Sequence, residues 1–210
     1  MSLDSLLSFA LIASLLVMSP GPNGALIAKT VPTSGVMAGF ANIAGFVTAF
    51  YIHGTLSILG ISAILLRSAE LFMVVKLAGA AYLIWIGIKA LRDAARRPSA
   101  ILSVAPARRR RSLAAAYGEG LLTNALNPKV SMFYLAAFPQ FIPHSLDAVP
   151  MAFGLVTLHA LINLVWFSAI VLLLTKVVAV AKRDGIQRMI KAVTGVVFVG
   201  FGVRLAMTRA

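Results

Sequence analysis

Ser19-Pro20-Gly21-Pro22-Asn23 interrupts an apolar run, Leu3 to Met18, that otherwise reads as a membrane helix. Each proline removes a backbone N–H and clashes with the carbonyl four residues back, so two prolines around a glycine break a helix here. The chain turns apolar again at once, through Ala25, Leu26, Ile27 and Ala28, before Lys29. At membrane depth a broken backbone leaves polar groups that hydrocarbon does not satisfy. It persists only where protein or a water-filled cavity covers it. The stretch is therefore either the edge of a short span or part of a polar site.

Composition sets the surroundings of that break. A length of 210 residues suits one or two soluble domains, but 60% hydrophobic residues, 12% charged residues and a mean hydropathy of +0.94 describe a chain that lives mostly in lipid. No basic region precedes Leu3 and no small-residue cleavage pattern follows the run, which argues for a retained first span over a signal peptide. Cysteine is absent, so disulfides and thiolate metal sites are excluded. The net charge of +13 suggests a nucleic-acid binder until the basic residues are located, since most sit in two short loops between apolar runs.

Six hydrophobic segments follow one another: Leu3–Met18, Gly35–Leu66, Leu71–Leu91, Leu113–Phe138, Met151–Val180 and Ile190–Met207. Several approach or exceed the roughly 20 residues needed to cross a bilayer. The fourth is interrupted by Asn127-Pro128-Lys129, and a polar linker carrying Arg108-Arg109-Arg110-Arg111 precedes it. If the spans alternate, fifteen of the 19 Lys and Arg residues fall on one side. That bias puts the two basic loops in the cytoplasm and both termini outside it.

The two halves resemble each other. Lys76-Leu-Ala-Gly-Ala-Ala-Tyr-Leu-Ile-Trp-Ile-Gly87-Ile-Lys89 lines up without a gap against Lys191-Ala-Val-Thr-Gly-Val-Val-Phe-Val-Gly-Phe-Gly202-Val-Arg204. Each half also carries a helix break near its start. With three spans per half, the second copy enters the membrane from the opposite side, as in the inverted repeats of secondary transporters. The expected fold is an all-α membrane protein of six transmembrane helices, built as two inverted three-helix repeats with helices 1 and 4 broken. Residues 1–92 form the first repeat, 93–112 the basic cytoplasmic linker and 113–210 the second repeat.

The early Pro-Gly-Pro-Asn, the glycine-spaced second segment, Gly79-Ala-Ala-Tyr-Leu-Ile-Trp-Ile-Gly87, and Gly120-Leu-Leu-Thr-Asn-Ala-Leu-Asn-Pro-Lys129 with Phe138-Pro-Gln-Phe141 resemble the lysine exporter family, which includes homoserine and threonine exporters. The resemblance covers nearly the whole chain. It implies a cytoplasmic-membrane protein that exports amino acids or close derivatives, driven by the proton gradient. It does not name one substrate. The chain departs from the family pattern at Glu119.

Candidate site residues follow from the breaks and from polar groups inside apolar segments. Pro20, Gly21, Pro22 and Asn23 read as an unwound segment, with a helix N-terminus near Asn23 that favours a substrate carboxylate. The competing reading is a surface turn. Asn127, Pro128 and Lys129 are its counterpart; Lys129 taken alone reads better as snorkelling to the cytoplasmic interface. Asn42, Asn124 and Asn163 read as interhelical glue first and ligand contacts second. Glu119, the acidic residue within an apolar segment, is a proton-coupling candidate or the partner of a loop arginine. His53 and His159 are further proton-coupling candidates, or hydrogen-bond partners of neighbouring helices. Gly35 and Gly39 form a small-residue pair for close helix approach, and Trp85 and Trp166 read as packing residues.

Nothing points to an enzyme: no phosphate-cradling motif, Ser-His-Asp set or paired carboxylates occurs. No cofactor, metal or nucleic acid is expected. The expected partners are a small-molecule substrate, protons and lipid, with the arginine run touching anionic headgroups. Self-association into a homo-oligomer stays open. The rival reading within the same superfamily is a metal or other cation exporter, against which the scarcity of membrane carboxylates counts. A non-transporting membrane enzyme or scaffold is the other rival.

Overall fold

The computed structural model describes residues 2–67, 69–95, 111–142, 148–174 and 184–207. Most of the basic linker, with Arg96, Arg97 and Arg108 to Arg110, lies outside the described residues, as do Lys176, Lys182, Arg183 and Arg209. Every described element is helical.

Helix α1 (Leu3–Met18) starts at Ser2, whose hydroxyl accepts from the Ser5 amide at 3.2 Å. It ends at Ser19, because a residue before proline is driven out of the helical region; Ser19 has ψ 139°. Gly21 is fully extended, Pro22 occupies the first helical position, and α2 (Pro22–Ser34) departs at 50° to α1. Gly35 closes α2 with φ 90°, the left-handed region that glycine enters without strain. Helix α3 (Val36–Arg67) is continuous over 32 residues, and α4 (Ala69–Ala95) follows.

The second break has its own chemistry. Helix α5 (Leu113–Ala125) stops at Leu126, and the Asn127 side chain caps α6 (Pro128–Met132) by accepting from the Lys129 amide at 3.1 Å. The chain continues through a π-helical turn, Phe133–Ala137, and a 3-10 turn, Phe138–Phe141. Helices α7 (Ala148–Leu172) and α8 (Asp184–Met207) complete the described fold.

Helices α3 and α7 are long and apolar enough to cross a membrane, and the bent pair α1–α2 makes a third candidate span. Their outward faces agree: Leu7 is 58% exposed, Leu56 62% and Val165 69%. Large aliphatic groups standing free along several helices suit a lipid solvent. Between such helices there is little hydrophobic drive, so close packing and interhelical hydrogen bonds hold the bundle.

Glycine marks the tightest contacts. A Cβ on Gly45 would run into the backbone of Tyr117 and Leu121, and one on Gly120 into the backbone of Asn42, so α3 and α5 touch main chain to main chain. The pair runs parallel, since Asn42 meets Ala116 and Phe46 meets Asn124 farther along. Helix α7 runs antiparallel to α3: Phe50 packs on His159 and Phe46 on Phe167. The expected Gly35–Gly39 packing pair is corrected here. Gly35 is a turn residue with nothing near its Cβ direction, and only Gly39 packs, against Val31 and Val171.

Helices α4 and α8 meet antiparallel through a self-complementary contact. A Cβ on Gly87 would lie 2.9 Å from the Gly195 carbonyl oxygen and 2.8 Å from the Val199 nitrogen. One on Gly202 would lie 2.9 Å from the Ala80 carbonyl oxygen and 3.1 Å from the Ile84 nitrogen. The alignment of residues 76–89 with 191–204 pairs Ala80 with Gly195, Ile84 with Val199, and Gly87 with Gly202. Exchanging the two segments therefore maps the contact onto itself. Trp85, expected in packing, is instead 57% exposed with Lys89 above its ring, while Trp166 packs against the core.

Candidate functional site

The two breaks are brought together inside the bundle. Asn23, in the first turn of α2, donates through Nδ2 to Asn124 Oδ1 at 2.9 Å. Asn124 donates in turn to the Phe46 carbonyl at 2.9 Å, and its own carbonyl lies 3.3 Å from His53 Nε2. Asn23, Asn124 and Asn127 are buried, whereas Pro20, Pro22 and Pro128 are exposed. The prolines thus shape the breaks, and the asparagines beside them face the interior. Gly21 leaves room for a lysine: a Cβ there would come 3.2 Å from Lys129 Nζ.

Lys129 departs from the snorkelling expectation. Its ammonium donates to Leu16 O at 2.8 Å, Ser19 O at 3.1 Å and Ser19 Oγ at 2.7 Å. Two are carbonyls at the end of α1 and the third is the Ser19 hydroxyl, which itself donates to Leu16 O at 3.0 Å; the helix dipole favours a cation there. The side chain therefore ties the second break to the first. A reading from the sequence alone places Lys129 at the cytoplasmic interface because it cannot see α1 ending beside it.

Asn42 does what an interhelical tie does, donating to the Ala116 carbonyl at 2.6 Å. Glu119 forms an ion pair with Arg111, both side chains partly exposed, which realises the loop-arginine alternative. Neither residue touches the Asn23–Asn124 pair through a bond.

The histidines converge on a residue the sequence did not single out. Tyr134 contacts both: its ring runs parallel to His53 at 5.6 Å and 14°, and to His159 at 5.7 Å and 8°. Tyr134 Oη is 3.3 Å from His159 Nδ1. Phe9, Phe50 and Phe133 complete the aromatic layer around His159. Tyr134 sits in the π-helical turn, where the widened register frees its carbonyl to accept from Ser57 Oγ at 2.5 Å. Its position in an apolar run carried no signal, because a lone tyrosine there reads as core.

Among the described residues, several buried polar atoms have no partner, including Asn23 Oδ1, Asn42 Oδ1, Asn163 Oδ1, Thr30 Oγ1 and His159 Nε2. Native interiors hold few such groups, and each calls for a reason. Among the described residues no three of His, Cys, Asp and Glu lie together as a metal site. The arrangement offers neutral hydrogen-bonding groups, one ammonium and an aromatic wall, which suits recognition of a small polar molecule.

Fold and site together define a helical, multi-pass membrane protein organised around two adjoining helix breaks. The chain belongs to the family described as LysE type translocator, whose pattern matches residues 14–209. It is 29% identical to an uncharacterized membrane protein of Bacillus subtilis, over 98% of this chain and 100% of the relative. It is 28% identical to a threonine efflux protein of Salmonella typhi, over 95% of this chain and 96% of that one. A leucine efflux protein of Klebsiella pneumoniae is 29% identical, over 95% and 93%. No solved structure matches the chain.

Proposed function

We propose that the protein is a secondary transporter that exports an amino acid or amino-acid derivative across the cytoplasmic membrane. The observation that carries this reading is the buried Asn23–Asn124 bond, which joins one helix break to the other. Paired broken helices at the centre of a bundle are where transporters of this kind place their substrate. Family membership and the efflux names of the relatives point the same way.

On this reading six spans form two inverted repeats, residues 1–92 and 113–210, joined by the cytoplasmic linker 93–112, with both termini outside. The antiparallel α4–α8 contact that maps onto itself supports an exchange axis lying in the membrane plane. Pro20 to Asn23, Asn42, Asn124 and Asn127 to Lys129 form the substrate site, with the α2 N-terminus facing the carboxylate and Lys129 holding the two breaks together. Export proceeds by alternating access as a proton enters. Of the candidate carriers, His53 and His159 contact Tyr134, while Glu119 is engaged by Arg111.

The test is an assay in everted membrane vesicles, screening amino acids with and without a proton gradient. Gradient-dependent uptake of at least one is expected, and movement of none would sink the proposal. Asn127→Ala removes the α6 cap and should abolish transport at unchanged expression. Normal transport by that variant would remove Asn127 from the site.

A further inference from the structure

Two of the unpartnered amide oxygens, on different helices, lie at one level of the bundle. The first is Asn23 Oδ1, and the network forces its orientation. Phe46 O can only accept, so Asn124 must present Nδ2 to it and Oδ1 to Asn23. Asn23 must then donate through Nδ2, which leaves its Oδ1 free in a residue 7% exposed.

The second is Asn163 Oδ1, on α7, in a residue 1% exposed. Asn163 lies one turn after His159 and one turn before Phe167, on the same buried stripe. His159 packs on Phe50 at 4.2 Å between ring centroids and Phe167 on Phe46 at 5.5 Å, so Asn163 meets α3 between those two phenylalanines. That is the level at which Asn124 bonds the Phe46 carbonyl. The Phe167 ring also reaches 4.0 Å from where a Cβ on Gly24, beside Asn23, would stand.

We propose that Asn23 Oδ1 and Asn163 Oδ1 form an ammonium-binding subsite, taking the primary amine of an amino-acid zwitterion by neutral hydrogen-bond acceptors instead of a counter-charge. The inference rests on the transporter reading and specifies where the amine sits, beside the Asn23 and Asn163 side chains, while the backbone N–H groups at the α2 N-terminus keep the carboxylate. An ammonium carries three donors and no acceptor, so it satisfies two buried carbonyl oxygens at once, which a hydroxyl with its single donor does not. A site built to bond a particular polar group rejects the analogue that lacks it, because its own buried atoms are then left unpaired.

The experiment measures uptake of radiolabelled leucine and threonine into everted vesicles, with competition by the 2-hydroxy acid counterpart of leucine and by N-acetyl-leucine. In the wild-type protein both analogues should compete at least about tenfold more weakly than leucine itself. Asn163→Leu should raise KM about tenfold and erase the preference for amine over hydroxyl, while Asn163→Asp, which keeps an acceptor in place, should retain it. Wild-type protein that takes the hydroxy acid as well as leucine overturns the subsite without any variant. So does an unchanged preference in Asn163→Leu. Uptake of no amino acid in the full vesicle screen instead brings down the transporter reading, a separable result.

Discussion

At the scale of single residues, the Lys129 ammonium has the clearest physical duty. Three acceptors at the end of α1 hold it, and none is a carboxylate. Replacing it by methionine removes the donor to Ser19 O, leaves Leu16 O only the Ser19 hydroxyl, and unties the two breaks. We expect Lys129→Met to lower stability by about 1–3 kcal/mol. Thermal unfolding in detergent reads this, and a midpoint equal to wild type would show that the tie carries no energy. Glu119 is the opposite case. Its carboxylate is partly exposed and paired with Arg111, and exposed pairs contribute about 0–1 kcal/mol. Glu119→Gln should transport within about twofold of wild type at saturating gradient. A loss of gradient dependence would return Glu119 to the proton path.

Among elements, the α3–α5 pair is the most constrained, because its two glycines bring main chains into contact. Gly45→Ala places a methyl against the Tyr117 carbonyl and the Leu121 amide. Backbone cannot step aside as a side chain does, so the substitution should destabilise by about 1–3 kcal/mol. Gly118→Ala on the same α5 meets nothing within 4 Å. There the loss of glycine's chain entropy should stabilise by about 0.5–1 kcal/mol. Unfolding midpoints that move the same way in both variants would contradict the packing argument. The π-helical turn is the other special element: it turns Tyr134 toward two histidines and gives Ser57 a carbonyl to bond.

For the whole molecule, the prediction concerns sidedness. Reporters fused near Arg110 and near Arg209 should lie on opposite sides of the membrane, the first in the cytoplasm. The same side for both would break the six-span, two-repeat arrangement. Helices α3 and α5 run parallel, and α7 runs antiparallel to α3 and α8 to α4, the directions that the proposed topology gives them.

Much of this was legible in the residues. Pro20-Gly21-Pro22 and Asn127-Pro128 end helices through covalent geometry alone, so both breaks stand where proline puts them. Helix existence and extent likewise follow from apolar runs, and α3 spans nearly the segment expected. What needed the tertiary structure was partnership across long separations. That Asn23 reaches Asn124, 101 residues away, depends on how α2 and α5 pack. Lys129 becomes a cap because α1 ends beside it, and Tyr134 becomes central because α3 and α7 each bring a histidine ring parallel to its own. Backbone breaks are local and are written in the chain. The pairing of buried polar groups is set by helix packing, which no single stretch of sequence contains.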